Sequence, residues 1–453
     1  MNSFVNDTMS TVHREHLAEW YRRNRARSQA LFDMLADEAY YSRPIALRHP
    51  IVFYEGHLPG FSFNTLVKRG LGRSGIDARL ETLFARGIDP HESHATEAAR
   101  DAAIRDQWPA RVEVQHFARE ADRQVIEALE SGDIDRTNHP LLHRAEAAHC
   151  ILEHEVMHQE TLLYMWHRLP FADKRRPSGY TPNTDGAPPA QSWITVPAGT
   201  ATLGVAHDEA PFAWDNERPS HQEQVRAFQV QQHNVTNHDF LAFINAGGYR
   251  DERWWRPEDW QWIHSEQMQH PAFWERDQDD TWWWRGMFDR IPLPAAWPVY
   301  VSHAEATAYA AWQDARLMTE AEYQRAAYGD PTGSQRTYPW GESTPSAEHG
   351  VFDFRSWDPH PAGSHPAGAS AWGIHDLVGN GWEWTSTVFA PFPGFSAMAS
   401  YPEYSADFFD GEHYVMKGAS PATATALLRP SFRNWFRPRY PYVYAAFRCA
   451  REA

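Results

Sequence analysis

His154 and His158 stand four residues apart in the stretch Glu153-His154-Glu155-Val156-Met157-His158-Gln159-Glu160. On a helix that spacing places both imidazoles on one face, close enough to grip a single metal ion. The same letters satisfy the H-E-x-x-H pattern of zinc peptidases, with Glu155 as general base. A metzincin wants Gly at 161 and His at 164, where this chain has Thr161 and Tyr164, and no Glu follows before His207 to complete a His₂Glu zinc set. Glu160 lies two residues past His158, about 200° round a straight helix, so it points away from the metal and serves as a supporting carboxylate. A third histidine is therefore the expected ligand. His57 is the candidate, because Pro59, inside the helix that begins at Pro50, should kink it beside Gly56 and His57. His49 is its rival, nearer the helix start. Three neutral imidazoles leave a metal several open positions, as a site binding both O₂ and a substrate requires. A pair of merely packed histidines is the alternative.

Periodicity supplies the elements that must hold these residues. Apolar residues at helical spacing predict helices over 11–39, from Pro50 through Phe61, over 112–130 with Gly132 as the stop, and over 140–169. Residues 70–107, including Gly87-Ile88-Asp89-Pro90, read as connections and turns. Four such helices make a bundle, an architecture that builds metal sites from facing side chains. Between 171 and 191 the composition turns to Pro, Gly, Lys, Arg and Asn without periodicity, which marks a linker. From Trp193 short strands alternate with Gly, Pro and Asn turns. They are interrupted by a helix over 302–314, with Ser302 and Glu305 as capping box, and another over 320–327 opened by Thr319. The expected domains are thus 1–170, a metal-binding bundle, 171–191, a linker, and 192–453, a larger mixed domain.

Bulk properties exclude some classes. A formal charge of −17 without clustered Lys and Arg argues against nucleic acid as partner. No run approaches the roughly 20 apolar residues of a membrane span and Met1 to Ser10 is polar, so no membrane partner and a cytoplasmic place are expected. Cys150 and Cys449 are the only cysteines, so histidine must hold any metal. The 21 Trp and 32 Pro fit a loop-rich domain pinned by aromatics, or an aromatic pocket suited to a quaternary ammonium.

Several motifs of the second half occur in one family's order: Val196-Pro197-Ala198-Gly199, Asn234-Val235-Thr236-Asn237, Arg316-Leu317-Met318-Thr319-Glu320-Ala321-Glu322-Tyr323, Gly379-Asn380-Gly381-Trp382-Glu383-Trp384 and Ala446-Phe447-Arg448. They resemble the formylglycine-generating-enzyme (sulfatase-modifying-factor) domain, a C-type-lectin-like fold. That family's oxidase uses a cysteine pair, and the matching stretch 420–437 has no cysteine, so copper-dependent cysteine oxidation is not expected. The first half resembles the DinB-like four-helix bundle. The implied fold class is α + (α+β), and the fusion is similar to the ergothioneine and ovothiol sulfoxide synthases.

That resemblance implies a non-haem iron(II) enzyme that uses O₂ to join a chalcogen donor to the imidazole of hercynine, a trimethylammonium betaine. The family's iron ligands carry over as His57, His154 and His158, with Fe(2+) as cofactor and Glu160 as the motif's carboxylate. Asn434 and Trp435 match residues that hold the betaine, which an indole face and an amide suit. Tyr401 is the implied proton donor, with Tyr404 behind it. Two departures stand out. Val156 and Met157 replace the two Gln of H-E-Q-Q-H, and Phe436 stands where enzymes taking γ-glutamylcysteine carry Asp. The implied donor is then cysteine or a selenosugar, and the resemblance leans to the selenoneine synthase branch. A zinc hydrolase and a non-catalytic binding module are the competing classes.

Overall fold

The computed structural model describes residues 3–85 and 108–453. From residue 86 onward, the connection expected over 70–107 lies outside the described residues until Trp108. The chain divides into two compact units, one of Met1–Ser178 with Ala399–Tyr401, the other of Gly179–Met398 with Pro402–Ala453. The division falls inside the apolar-poor stretch 171–191.

The first unit is the four-helix bundle. Its long helices are α1 (Ser3–Asp33), α2 (Ile51–Ser62), α4 (Arg111–Ser131) and α5 (Glu146–Arg168), with a short α3 (Ala78–Leu83) before the undescribed stretch. Leu17, Tyr21, Leu66, Val125, Ile151 and Leu152 meet in its core. Every residue of α2 except Phe61 is buried, as expected of a helix that is apolar all round and packed on several sides. Gly132 ends α4 as the sequence predicts, its N–H donating to Ala128 O at 2.8 Å.

Three helices depart from their expected course, the first being α1, which spans Ser3–Asp33 where periodicity predicts 11–39. α5 starts at Glu146 instead of Pro140, because Arg144 and Ala145 both take left-handed backbone angles (φ 55° each) that no right-handed helix can pass through. α2 runs on through Pro59 to Ser62, and the irregularity comes afterwards, as a π-helix over Phe63–Gly70. The missing Pro59 amide is tolerated inside the buried helix, and the wider turn follows it.

The second unit is the lectin-like domain. One sheet has the order β1-β4-β13-β8, from Trp193–Val196, Phe228–Gln231, Cys449–Glu452 and Arg316–Leu317. The other has the order β11-β10-β9-β12, from Asn434–Phe436, Tyr414–Ala419, Gly381–Val388 and Ala445–Ala446, with β12 parallel to β9. A β2–β3 hairpin (Gly199–Leu203, His221–Val225) and a β5-β6-β7 sheet (Trp274–Arg276, Trp282–Arg285, Arg290–Pro292) complete it. Helices α6 (Asn237–Asn245), α7 (Pro257–Ser265), α8 (His303–Trp312), α9 (Glu320–Tyr328) and α10 (Glu403–Ala406) join the strands. Ser302 and Glu305 form the predicted capping box of α8, and Thr319 with Glu322 caps α9. Trp214, Trp274, Trp284, Trp297, Trp382 and Trp384 are fully buried, so much of the unusual indole content is core packing. Among the described residues no helix is long and apolar enough to cross a membrane.

Candidate metal centre

Two ladders of side chains, each repeating every fourth residue, build the site. α5 carries Glu146, Cys150, His154 and His158, and α2 carries Phe53, His57 and Phe61. A four-residue step turns a helix by about 400°, so each ladder lies along one face with a slow drift. Where they meet, the ring centroids of His57 lie 5.2 Å from His154 and 5.0 Å from His158, and those of His154 and His158 lie 4.4 Å apart. One nitrogen from each of the three lies within 4.8 Å of the others. No other His, Cys, Asp or Glu group among the described residues meets that condition.

The rings are prepared to donate lone pairs. His57 Nδ1 is 2.6 Å from the Phe84 carbonyl, which fixes that nitrogen as the protonated one and leaves Nε2 as donor to a metal. Nε2 of His57 and both nitrogens of His154 and His158 are buried without a hydrogen-bond partner. Five buried unpaired nitrogens at one point are costly unless something binds them. A metal ion is the fitting occupant, since it takes neutral imidazole ligands and replaces the missing hydrogen bonds. Burial pushes the pKa of His57 down to about 4 and those of His154 and His158 well below the ordinary value, with the neighbouring imidazoles of the set adding to the effect at His154. All three are neutral at physiological pH.

Aromatic walls enclose the centre. Phe61 stacks on His154 at 3.6 Å and Phe53 on His57 at 4.7 Å. The spacing 53, 57, 61 is visible in the sequence, but Pro59 points to a helix kink and so masks the flanking rings. Gly56 explains how Phe84 reaches His57: a Cβ at position 56 would run into the Phe84 ring. Tyr401 belongs to this unit, its ring 6.0 Å from His154 and 5.1 Å from Phe61. Met157 is half-buried on α5 between the two histidines in sequence, and Glu160 is buried.

Glu155 is turned to the other side of α5. It accepts from Arg25 at 2.9 Å and from Ser28 at 2.6 Å, while the next turn's Gln159 donates to Asn24 O and Ser28 Oγ, both at 2.9 Å. A carboxylate fully buried in an ion pair with α1 is a structural fastening, which weighs against the zinc-peptidase reading of the motif.

The remaining predicted residues lie in the lectin-like unit and are brought together there. β11 carries Asn434, Trp435 and Phe436 opposite Met416, Val415 and Tyr414 of β10. Phe389 lies flat on the Trp435 indole at 4.2 Å, and the Tyr404 ring meets it edge-on at 5.2 Å. Tyr404 also stacks on Trp214 at 4.0 Å. Asn434 turns its Oδ1 to the Trp435 amide at 2.9 Å, and Phe436 stacks on Tyr440 at 5.1 Å. The strand is held by Arg433, which is buried, donates to both oxygens of Glu320 at 2.9 and 3.0 Å, and lies over Phe392. Lys417 donates to the carbonyls of Pro430 and Phe432 just ahead of it. Sequence reasoning missed both anchors, because partners 113 residues apart, as Arg433 and Glu320 are, leave no local pattern.

Three converging, unpartnered imidazoles in a DinB-type bundle, followed by a sulfatase-modifying-factor-type domain, define a bipartite protein with a candidate metal centre in its first unit. The Sulfatase-modifying factor enzyme 1-like domain model matches residues 180–453, and the DinB superfamily model matches 21–162. The chain is 38% identical over 315 residues to the hercynine oxygenase of Mycolicibacterium thermoresistibile, covering 66% of this chain and 67% of that protein. It is 36% identical over 371 residues to the hercynine oxygenase of Mycolicibacterium smegmatis, covering 74% and 84%. It is 28% identical to ergothioneine biosynthesis protein 1 of Neurospora crassa over 92% of this chain, and spans 56% of that longer protein. The chain belongs to the hercynine oxygenase family.

Proposed function

We propose that this chain is an iron(II)- and O₂-dependent enzyme that joins a chalcogen donor to the imidazole carbon of hercynine. The observation that carries the proposal is the set of three neutral, unpartnered imidazoles with a tyrosine ring beside them, in a chain of this family. His57, His154 and His158 would hold the iron, which when bound supplies the redox chemistry for O₂. Phe53 and Phe61 keep water from two of the ligand rings and stiffen them. The Tyr401 phenol, whose ring lies beside His154, would hold or deliver the proton, with Tyr404 as the rival donor. Asn434 and the Trp435 indole would take the betaine end, the indole face meeting the trimethylammonium, a cation with no N–H to donate.

The donor reading rests on Phe436, an apolar side chain where relatives taking γ-glutamylcysteine carry Asp, which supports a smaller or different donor. We favour a selenosugar, giving selenoneine, over cysteine, giving an ergothioneine precursor. Aerobic incubations with iron(II), hercynine and, in parallel, a selenosugar, cysteine and γ-glutamylcysteine, read by mass spectrometry, decide the point. Hercynine consumption with the selenosugar alone is the expected result. Consumption with cysteine alone moves the chain to sulfur chemistry, and no consumption with any donor defeats the substrate assignment. His154→Ala and His158→Ala should each abolish metal uptake and turnover together. Full metal occupancy in His57→Ala would remove His57 from the ligand set.

A further inference from the structure

Ala399–Tyr401 is part of the bundle unit, although the residues flanking it in sequence are not. Ser400 is fully buried, and its backbone N–H and its hydroxyl both donate to one oxygen of Glu146, at 3.1 and 2.8 Å. The Arg69 guanidinium donates to the carbonyls of Ala399 and Ser400, both at 3.2 Å. The Cys150 thiol lies within hydrogen-bond reach of the Ser400 side chain. Glu146, Cys150, His154 and His158 rise along one face of α5 in steps of about 6 Å. Ser400 seated on the first two rungs therefore delivers the next residue, Tyr401, to the third, where its ring meets His154 and Phe61.

We propose that Glu146 and Arg69 are positioning residues that seat this three-residue segment on the bundle and thereby hold the Tyr401 ring beside the metal-binding face. One clamp arm is a carboxylate in the first turn of α5, the other a guanidinium at the end of the π-helix. Between them they satisfy the Ser400 N–H and hydroxyl and two successive carbonyls. The part played by Tyr401 in turnover rests on the proposed function; the clamp itself does not.

The two cysteines make the test. Both are fully buried, Cys150 under Ser400 and Cys449 in β13 of the other unit, so the second reports general loosening while the first reports the clamp. The full metal-free chain is alkylated with iodoacetamide as wild type, Arg69→Ala, Glu146→Ala and Glu146→Gln. The Ala variants should label Cys150 roughly tenfold faster, the loss expected for removing hydrogen bonds to a charged group from a locally opening segment. Cys449 should be unchanged, and Glu146→Gln, which keeps an acceptor oxygen, should stay near wild type. The same Ala variants should still bind one metal ion per chain and lose kcat while KM for the betaine substrate moves less than about twofold. Cys150 no faster in either Ala variant overturns the clamp, as does a parallel rise at Cys449, whereas faster labelling with kcat unaltered overturns the part given to Tyr401 in turnover. Labelling needs no substrate: a wild type without turnover would defeat the functional reading, and the clamp would then stand or fall on Cys150 and metal stoichiometry.

Discussion

Arg448 and Glu383, both fully buried in the lectin-like unit, make two hydrogen bonds to each other, at 2.9 and 3.2 Å. His57, His154 and His158 are almost as deeply buried in the bundle and leave ring nitrogens with no partner at all. Burial is the same and satisfaction is opposite, so burial alone does not separate scaffold from site. The paired ions fasten strands together, and the unpaired imidazoles wait for a ligand. Removing one group from each region should then have opposite consequences.

The largest effect is expected from Arg448→Ala, which leaves the buried Glu383 carboxylate without its charge partner, held by the Asn234 amide at 2.9 Å, and should cost about 3–5 kcal/mol of unfolding free energy. His154→Phe in metal-free protein should cost little or stabilise, since it deletes unsatisfied nitrogens and keeps the ring stacked on Phe61. Chemical denaturation of both variants checks the contrast, and an equal loss in both would erase it. Next comes Gly56→Ala. The added methyl must displace the Phe84 ring, whose residue also supplies the carbonyl that orients His57, so metal affinity should fall about 10- to 100-fold with all three ligands intact. Competition with a chelator measures it.

A smaller effect comes from pH. The His57 pKa falls from 6.5 to about 4 on folding because burial penalises the charged ring. Above pH 6.5 the folded and unfolded chains carry the same charge at this residue. As pH drops below 6.5 the unfolded chain takes up a proton that the folded chain refuses. Metal-free protein should therefore lose about 1.4 kcal/mol per pH unit from this residue, until the folded value is reached. His154 and His158 act in the same direction, being lowered for the same cause. Saturating metal should raise the whole curve and leave the slope just below pH 6.5 unchanged, because the folded imidazoles carry no proton there with or without it. Denaturation midpoints with and without metal, followed from neutral pH down to about pH 5, test the sign.

Much of this organisation is legible in the order of residues alone. The i, i+4 histidines, the capping boxes at Ser302 and Thr319, the stop at Gly132 and the bundle helices rest on local chemistry, which a sequence displays, while the lectin-like fold is legible only through the family resemblance of its motifs. The start of α5 is not legible, because two left-handed residues without glycine, Arg144 and Ala145, break the propensity rule that would announce them. Nor are the Phe84 carbonyl at His57, 27 residues away, or the Ser400 contacts at Glu146, 254 residues away. Such contacts exist only once the chain has closed.

The smallest expected change belongs to Glu155→Gln, and it tests the same comparison within one helix. Glu155 follows His154 directly, so a zinc peptidase of the H-E-x-x-H type would lose its general base and almost all activity with this variant. In this chain the carboxylate faces α1 and is bound by Arg25 and Ser28. Burial raises its pKa, and Arg25 and Ser28 oppose that rise. Glutamine keeps the shape and one acceptor, so unfolding free energy should drop by only about 1 kcal/mol. Metal stoichiometry and turnover should both persist, because nothing on the His154–His158 face has changed. A collapse of turnover with metal retained would reassign Glu155 from fastening to catalysis, and the division between satisfied scaffold and unsatisfied site would fail on the helix that displays it best.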